Sequence, residues 1–167
     1  MTKEILLQKL REMGIVRRGE ITLRSGATSD IYCDVRMIFG VPLILNAVAD
    51  EIGKMIPENA TCVAASGYGG LPLASVVASR KNLKMIGVRD SAKAHGKSGR
   101  IAGYVPREED SVMIIDDVLS TGSSIRETLL GLQESNAKVL GAVVAVSRTK
   151  ADLPIPCASL YSIEELL

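Results

Sequence analysis

Two adjacent carboxylates, Asp116 and Asp117, stand between an apolar run at residues 112–115 and a Ser/Thr/Gly segment at residues 120–124. The apolar run predicts a buried strand, and the segment leads into helix-like sequence. Backbone N–H groups and hydroxyls at a positive helix end suit a phosphate monoester. Carboxylates beside such a cradle would repel phosphate unless they bind something else, and vicinal ribose hydroxyls are the natural candidates. The pattern predicts a ribose-phosphate site, with a solvated Asp-Asp turn and a helix cap as the alternative.

This segment resembles the signature of the type I phosphoribosyltransferases, which is an apolar strand, two acidic residues and a TTG-like loop. In that family the loop binds 5-phosphoribosyl-1-pyrophosphate (PRPP). The resemblance implies that Asp116 and Asp117 hold the ribose hydroxyls. It also implies that the 5-phosphate is wrapped by Ser120, Thr121, Gly122, Ser123 and Ser124. Ser120 stands where threonine is usual, a change that keeps the hydroxyl.

A polar segment at residues 89–97 contains the chain's only histidine. It resembles the RKxxKxHG loop of orotate phosphoribosyltransferases, which closes over the active site and contacts pyrophosphate, usually on the neighbouring subunit of a dimer. The resemblance implies that Arg89, Lys93 and His95 bind pyrophosphate, with Lys93, His95 and Asp117 as the catalytic residues. Asp90 replaces the second basic residue of the motif. A solvated loop without function is the alternative.

Two further segments carry candidate binding residues by the same resemblance. Residues 21–32 are similar to the FTLxSGxxSxxY stretch, in which the residue after the leucine reaches the active site, here Arg24. Residues 65–74 are similar to the pyrophosphate loop that precedes a helix, which makes Tyr68 a binding residue. Gly69 stands where many members have lysine, so backbone amides would do more of the binding. A surface arginine and purely steric glycines are the alternatives.

Arg148 follows the apolar run at residues 139–146 after one intervening serine. In the resembling family an arginine at this place faces the orotate carboxylate, a pairing that uses the planar guanidinium fork. The alternative is an arginine that ends a strand and points into solvent.

The pattern of elements explains how these residues could meet. Helical spacing predicts helices over residues 3–13, 41–55, 71–79 and 123–134, and alternation predicts a hairpin over residues 21–35. Apolar runs predict strands over residues 61–65, 84–88, 111–115 and 139–146. Strands that alternate with helices indicate an α/β fold with a mostly parallel, twisted sheet, and the resemblance implies the type I phosphoribosyltransferase fold. We expect one domain over residues 1–167, with about residues 1–42 as a small N-terminal hood.

Ligands of such sheets bind beyond the carboxyl ends of the strands. We therefore expect the segments at residues 66–70, 89–103 and 116–122, which all follow strands, to converge on one edge.

Composition excludes several other classes of protein. The 167 residues include 20 Lys and Arg against 19 Asp and Glu, so no basic field for nucleic acid is present. No run approaches the roughly 20 apolar residues of a membrane helix, and the N-terminus does not resemble a signal sequence, so we expect a soluble cytoplasmic protein. Cys33, Cys62 and Cys157 are widely spaced and are interpreted as reduced, buried residues, with a metal site as a remote alternative.

The resemblance implies a complete reaction. Orotate would take the phosphoribosyl group from PRPP, which gives orotidine monophosphate and pyrophosphate. Mg²⁺ would arrive mainly on PRPP, without a dedicated set of metal-binding side chains, and the protein would be a homodimer with shared active sites. The alternatives are a phosphoribosyltransferase for another base and a non-catalytic regulator that senses PRPP.

Overall fold

The computed structural model describes residues 1–22, 28–89 and 99–167. The strands are β1 Val16–Thr22, β2 Thr28–Cys33, β3 Cys62–Ser66, β4 Lys84–Val88, β5 Ile101–Gly103, β6 Ser111–Leu119, β7 Lys138–Ser147 and β8 Cys157–Ser162. The α-helices are α1 Lys3–Met13, α2 Pro42–Met55, α3 Gly67–Lys81, α4 Ser123–Leu132 and α5 Ile163–Leu166. Short 3₁₀ helices cover Val35–Gly40 and Gln133–Ser135.

The N-terminal elements follow their local sequence signals. The Thr2 side chain accepts a hydrogen bond from the Ile5 amide at the start of α1, and Gly14 ends the helix in a left-handed conformation. β1 and β2 form the expected antiparallel hairpin as a separate two-stranded sheet. The predicted hairpin extended to Val35, but that residue begins a 3₁₀ helix that leads towards α2. Residues 23–27, which connect the two strands in sequence, lie outside the described residues.

The central sheet has six strands in the order β5-β4-β3-β6-β7-β8. β4, β3, β6, β7 and β8 run parallel, and β5 pairs antiparallel with β4 at one edge. This confirms the predicted mostly parallel sheet. The carboxyl ends of β3, β4, β6 and β7 therefore lie along one edge of the sheet, as the sequence pattern required.

Helices cover both faces of the sheet, and the strands are apolar for that reason. Alternate residues of β3 illustrate the arrangement, because Val63 and Ala65 join the core under α2 and α3 whereas Cys62 and Ala64 join the core under α4. A strand buried on both faces needs apolar side chains at every position. The continuous apolar runs that predicted the strands are thus a consequence of the two-sided burial.

Several boundaries differ from the predicted ones. The predicted loop at residues 66–70 is the last residue of β3 and the first turn of α3, because the helix begins at Gly67 and not at Leu71. β6 continues to Leu119, so Asp116 and Asp117 lie within the strand, where pairing with β7 continues past the apolar run. Helix α4 ends at Leu132 and passes into a 3₁₀ turn.

Among the described strands and α-helices, β5, β8 and α5 had no prediction, and the 3₁₀ helix Val35–Gly40 had none either. β5 is a three-residue strand within the polar stretch at residues 89–103, and pairing with β4 defines it. β8 contains two half-buried serines, Ser159 and Ser162, and is placed by its pairing with β7.

The three cysteines are free thiols; Cys62 is buried, and Cys33 and Cys157 are partly buried. Across the described ranges, no helix is long and apolar enough to cross a bilayer.

Candidate active site

The two adjacent aspartates lie near the carboxyl end of β6 in different surroundings. Asp116 is 6% exposed, and its Oδ1 accepts a hydrogen bond from the Asp117 amide at 2.9 Å. Asp117 is less buried, and its Oδ1 accepts from the Val118 amide at 2.9 Å. Successive residues of a strand point to opposite faces, so the two carboxylates leave β6 in different directions.

Burial, and after it the negative charge of Asp117, raises the pKa of Asp116 from its ordinary value of 3.8 to about 8. Hydrogen bonds from the Asp117 backbone and the Ser124 side chain act in the opposite direction, because they favour the ionised form. The pair therefore tends to hold a proton when nothing is bound. A ligand that donates hydroxyls or brings a cation would favour the ionised form.

The first turn of α3 approaches both aspartates closely at Gly69 and Gly70. A Cβ on Gly69 would lie 2.2 Å from Asp117 Oδ2, and a Cβ on Gly70 would lie 2.9 Å from Asp116 Oδ1. A side chain at residue 69 would therefore require the Asp117 carboxylate to move.

Tyr68 lies on the same turn, and its side chain is 92% exposed. Its predicted role in binding stays a prediction.

The Ser/Thr/Gly segment forms the connection from β6 to α4. Gly122 adopts φ +78°, a left-handed conformation that glycine tolerates, and a Cβ there would lie 2.7 Å from Leu153 Cδ2. The hydroxyls of Thr121 and Ser123 lie 2.8 Å apart, and helix α4 begins at Ser123. The segment therefore brings hydroxyls to the positive end of a ten-residue helix, as a phosphate cradle requires.

Two contacts that no sequence motif indicated fix this loop. Arg126 donates from Nη1 to the Thr121 carbonyl at 2.6 Å and from Nη2 to the Asp152 carbonyl. The Thr149 hydroxyl donates to the Ser120 carbonyl at 2.7 Å. Both contacts tie the loop to the segment after β7, which is far away in sequence. An isolated arginine one turn into a helix gives no signal of this kind.

A buried hydroxyl pair joins β3 to the start of α4. The Thr128 hydroxyl, 1% exposed, donates to the Ser66 hydroxyl at 3.1 Å, and it also lies 2.8 Å from the Ser124 carbonyl. The Ser66 hydroxyl donates to the Ser124 carbonyl at 3.2 Å. These contacts fix the start of α4 against the strand that leads into α3, so the N-termini of two helices flank the aspartates.

Arg148 connects the end of β7 to the N-terminal hairpin. Its amide donates to the Leu119 carbonyl at 2.9 Å, and its Nη2 donates to the Ile31 carbonyl at 3.2 Å. Burial is the main cause that raises the pKa of the Cys33 thiol to about 11. The charge of Arg148 lowers this pKa and the charge of Asp117 raises it, so both charged groups lie near Cys33. Arg148, Asp117 and the end of β2 therefore share one space between the hairpin and the sheet.

The remaining candidates come from the polar segment and the hairpin turn. Arg89 directly follows β4, its amide donates to the Arg100 carbonyl at 2.9 Å, and its Nη1 is buried without a hydrogen-bond partner among the described residues. A buried guanidinium nitrogen in that state suits an anionic partner. Arg24, Lys93 and His95 lie outside the described residues, and so does Asp90.

A cavity of about 590 Å³ lies next to this site. Its lining includes Leu119, Arg148, Cys157 and Ser159, but neither aspartate. The cavity therefore borders the site on the side of β8 and is not the space between the aspartates and the hairpin.

The described residues contain no group of three or more His, Cys, Asp or Glu side chains placed to hold a metal ion. The two β6 carboxylates do supply hard oxygen atoms, which Mg²⁺ prefers. These carboxylates suit a cation that arrives bound to a phosphate ligand, with the protein supplying the remaining coordinating oxygen atoms.

Comparisons with known proteins agree with this geometry. A family model described as a phosphoribosyl transferase domain matches residues 40–163. The chain is 37% identical over 147 residues to an orotate phosphoribosyltransferase of Bacillus subtilis, with 84% of this chain and 68% of that protein covered. It is 34% identical over 148 residues to an orotate phosphoribosyltransferase of Methanopyrus kandleri, with 89% and 79% covered.

Solved structures include the same fold. The crystal structure of orotate phosphoribosyltransferase from Aeropyrum pernix is similar with a TM-score of 0.83 and 27% identity, over 97% of this chain and 96% of that one. The fold class predicted from the sequence is therefore confirmed.

Proposed function

Because the chain belongs to the orotate phosphoribosyltransferases of the type I phosphoribosyltransferase family, we propose that it transfers the 5-phosphoribosyl group of PRPP to orotate. A nitrogen of orotate bonds to ribose C1 and gives up its proton to solvent or pyrophosphate, the bond from C1 to pyrophosphate breaks, and orotidine monophosphate and pyrophosphate are formed. The observation that carries this proposal is the pair Asp116 and Asp117 between two helix N-termini, because it combines acceptors for ribose hydroxyls with a phosphate cradle.

The aspartates and the loop orient the ribose phosphate. Asp116 and Asp117 accept hydrogen bonds from the ribose hydroxyls, and the hydroxyls and amides of residues 120–124 bind the 5-phosphate at the start of α4. Arg126 and Thr149 hold that loop in place through its carbonyl groups. With both ends of the ribose phosphate held, C1 is fixed relative to the incoming base.

The leaving group is stabilised by charge, and no covalent nucleophile is needed. Negative charge builds on pyrophosphate as its bond to C1 breaks, and Arg89 directly follows β4 with a buried nitrogen that has no hydrogen-bond partner among the described residues. Lys93 and His95, which lie outside the described residues, are proposed to add positive charge by the family resemblance. Their action is electrostatic stabilisation of the developing charge.

Mg²⁺ is the proposed cofactor. It would be carried mainly by PRPP, and a carboxylate oxygen of Asp117 would complete its coordination. When bound, the cation offsets negative charge on the pyrophosphate. Burial and the charge of Asp117 raise the pKa of Asp116, and a bound cation and hydroxyl donors would oppose this by favouring the ionised form.

Arg148 is proposed to select the base. Its guanidinium lies at the end of β7 and reaches β2, so a base bound between the hairpin and the sheet would meet it. A carboxylate on that base can pair with the guanidinium, which favours orotate over uracil. Arg24 is proposed to contribute from the hairpin turn, outside the described residues.

We also propose that the protein is a cytoplasmic homodimer with shared active sites. Each subunit would be a single domain, to which about residues 1–42 contribute a hood. The support is the resemblance of the 89–97 segment to a loop that acts across a dimer.

One assay tests the function. Purified protein is incubated with PRPP, Mg²⁺ and, separately, orotate, uracil, adenine or hypoxanthine, and consumption of each base and release of pyrophosphate are followed. Orotate should be consumed far faster than the other bases, and the double variant Asp116→Asn/Asp117→Asn should be inactive. Preference for another base would replace the substrate assignment. PRPP binding without turnover of any base would indicate a sensor.

A further inference from the structure

Arg36 is a charged residue of the N-terminal region that no sequence motif singles out. Its Nε donates to Asp34 Oδ1 at 2.7 Å, and the Tyr32 hydroxyl donates to Asp34 Oδ2 at 3.2 Å. Both carboxylate oxygens of Asp34 are thus engaged, and the carboxylate fixes the direction of the guanidinium plane. The Arg36 side chain is 51% exposed, so its positive charge remains accessible to a ligand.

The position of Arg36 in the fold brings it close to the candidate active site. It lies in the 3₁₀ helix Val35–Gly40, which contacts α3 and β6, the elements that carry Gly69 and Asp117. The hydrogen bond and the charge of Asp34 raise the pKa of the guanidinium, and the charge of Asp117 adds to this effect. Arg36 therefore lies within electrostatic range of Asp117, on a helix that packs against the two elements that carry Gly69 and Asp117.

The space beside Asp117 offers backbone groups and negative charge. A side chain at residue 69 would displace the Asp117 carboxylate, so the first turn of α3 presents its backbone. A pyrophosphate group bound beside that turn would also lie near the ionised Asp117. A cation on the hairpin side would offset this repulsion, and a guanidinium forms strong paired hydrogen bonds with phosphate oxygens.

We propose that Arg36 is a further substrate-binding residue, whose guanidinium binds the pyrophosphate group of PRPP opposite the first turn of α3. The inference rests on the proposed function for the identity of the ligand. Asp34 acts as the positioning residue, because it holds the guanidinium through Nε.

The test measures binding of PRPP and of pyrophosphate, each with Mg²⁺, to the full-length protein by calorimetry. Arg36→Gln should weaken both by about 10-fold or more, since it removes a charge-assisted pair of hydrogen bonds. Arg36→Lys should recover part of the loss, because it keeps the charge but not the planar fork. Arg107→Gln is the matched control, since its side chain is 72% exposed and lies just before β6, at the edge away from the aspartates.

Further readouts separate direct binding from a structural effect. Exposed ion pairs contribute little stability, so Arg36→Gln should keep the unfolding temperature of the parent protein. Asp34→Asn should weaken pyrophosphate binding less than Arg36→Gln does, because the guanidinium is retained but no longer held. If Arg36→Gln folds poorly, Arg36→Lys and Asp34→Asn together decide the question.

Unchanged affinity of Arg36→Gln for pyrophosphate would overturn the proposal. The measurement needs no base, so it is independent of orotate turnover. If the parent protein binds pyrophosphate through Arg36 but does not consume orotate, the proposed function fails and this inference stands.

Discussion

At the scale of single residues, the Asp116 carboxyl must be ionised to accept ribose hydroxyls well, yet its surroundings favour the protonated form. The pKa of an ordinary aspartate is 3.8, and burial, followed by the charge of Asp117, raises that of Asp116 to about 8. Between these values the folded protein holds a proton that the unfolded chain has lost, so its stability falls as pH rises.

Asp116→Asn should therefore stabilise the ligand-free protein, with a gain that grows from about pH 4 to about pH 8. The same change should abolish PRPP binding. Thermal unfolding of the variant and the parent protein across this interval checks the first statement, and calorimetry checks the second. A stability difference that stays constant with pH would contradict the argument.

The proposed role of Arg148 concerns the selectivity for orotate over uracil. Arg148→Ala should reduce the preference for orotate over uracil by an amount equivalent to about 2–5 kcal/mol, the cost of losing a charge-assisted pair at a desolvated site. The ratio of kcat/KM values for the two bases measures this loss. Lys150→Ala removes an exposed cation two residues away and should leave the ratio unchanged. An intact preference in Arg148→Ala would place the base elsewhere.

Among the secondary-structure elements, the sequence predicted those that local capping and side-chain patterns determine. α1, β4 and the hairpin pairing were confirmed because caps, alternation and apolar runs encode them directly. β8 was not predicted, since its half-buried serines give no clear period and its pairing with β7 defines it. Sequence patterns predict a loop for the first turn of α3 because three glycines, which are poor helix formers, occupy it; two of them, Gly69 and Gly70, lie against Asp117 and Asp116.

Helix α4 packs tightly on β4 at Gly131, where a Cβ would lie 2.4 Å from Val88 Cγ1. Gly131→Ala should destabilise the protein by about 1–3 kcal/mol, because neither the helix nor the buried valine can move aside freely. Gly40→Ala is the control, since a Cβ there meets no atom within 4 Å. Chemical denaturation of both variants checks the prediction, and equal stabilities would refute it.

At the end of the sheet away from the aspartates, a polar network joins β3, β4 and β6. Asp110, 2% exposed, accepts hydrogen bonds from Lys84 at 2.7 Å, from the Tyr104 hydroxyl at 2.7 Å and from the Thr61 hydroxyl at 2.8 Å. Burial alone would raise the pKa of Asp110, but the bonds, foremost that from Lys84, hold it well below its ordinary value. The network therefore stabilises the fold above pH 4 and is lost as pH falls towards the lowered pKa.

Asp110→Asn should cost about 1–3 kcal/mol at neutral pH, because it weakens several hydrogen bonds to a buried group. The cost should shrink as pH falls below about 4, because the unfolded chain then binds a proton on Asp110 that the folded parent protein does not take up until the lowered pKa is reached. KM values for PRPP and orotate should not change, since the network lies at the opposite edge of the sheet. Urea denaturation at neutral and acidic pH, with kinetics at neutral pH, separates these effects.

At the scale of the whole molecule, the site depends on segments far apart in the chain. Arg148 contacts the Ile31 carbonyl across 117 positions, and Ser66 contacts Ser124 across 58. Sequence patterns predicted that strand ends would converge, and the family resemblance implied which residues would bind. Neither could predict the Arg126 and Thr149 contacts that fix the phosphate loop, because tertiary packing alone creates them.

The proposed dimer makes the last prediction, in which the cationic segment of one subunit serves the ribose site of the other. Two inactive variants are prepared, Lys93→Ala and the double variant Asp116→Asn/Asp117→Asn, and they are mixed under conditions that exchange subunits. If the segment acts across the interface, a mixed dimer combines one intact segment with one intact pair of aspartates, and up to half of the parent dimer's activity returns in that species. If each segment serves its own subunit, every site keeps one defect and the mixture stays inactive. Subunit exchange is verified separately by mass spectrometry of differently tagged variants, so that an inactive mixture reports on the location of Lys93 and not on a failure to mix.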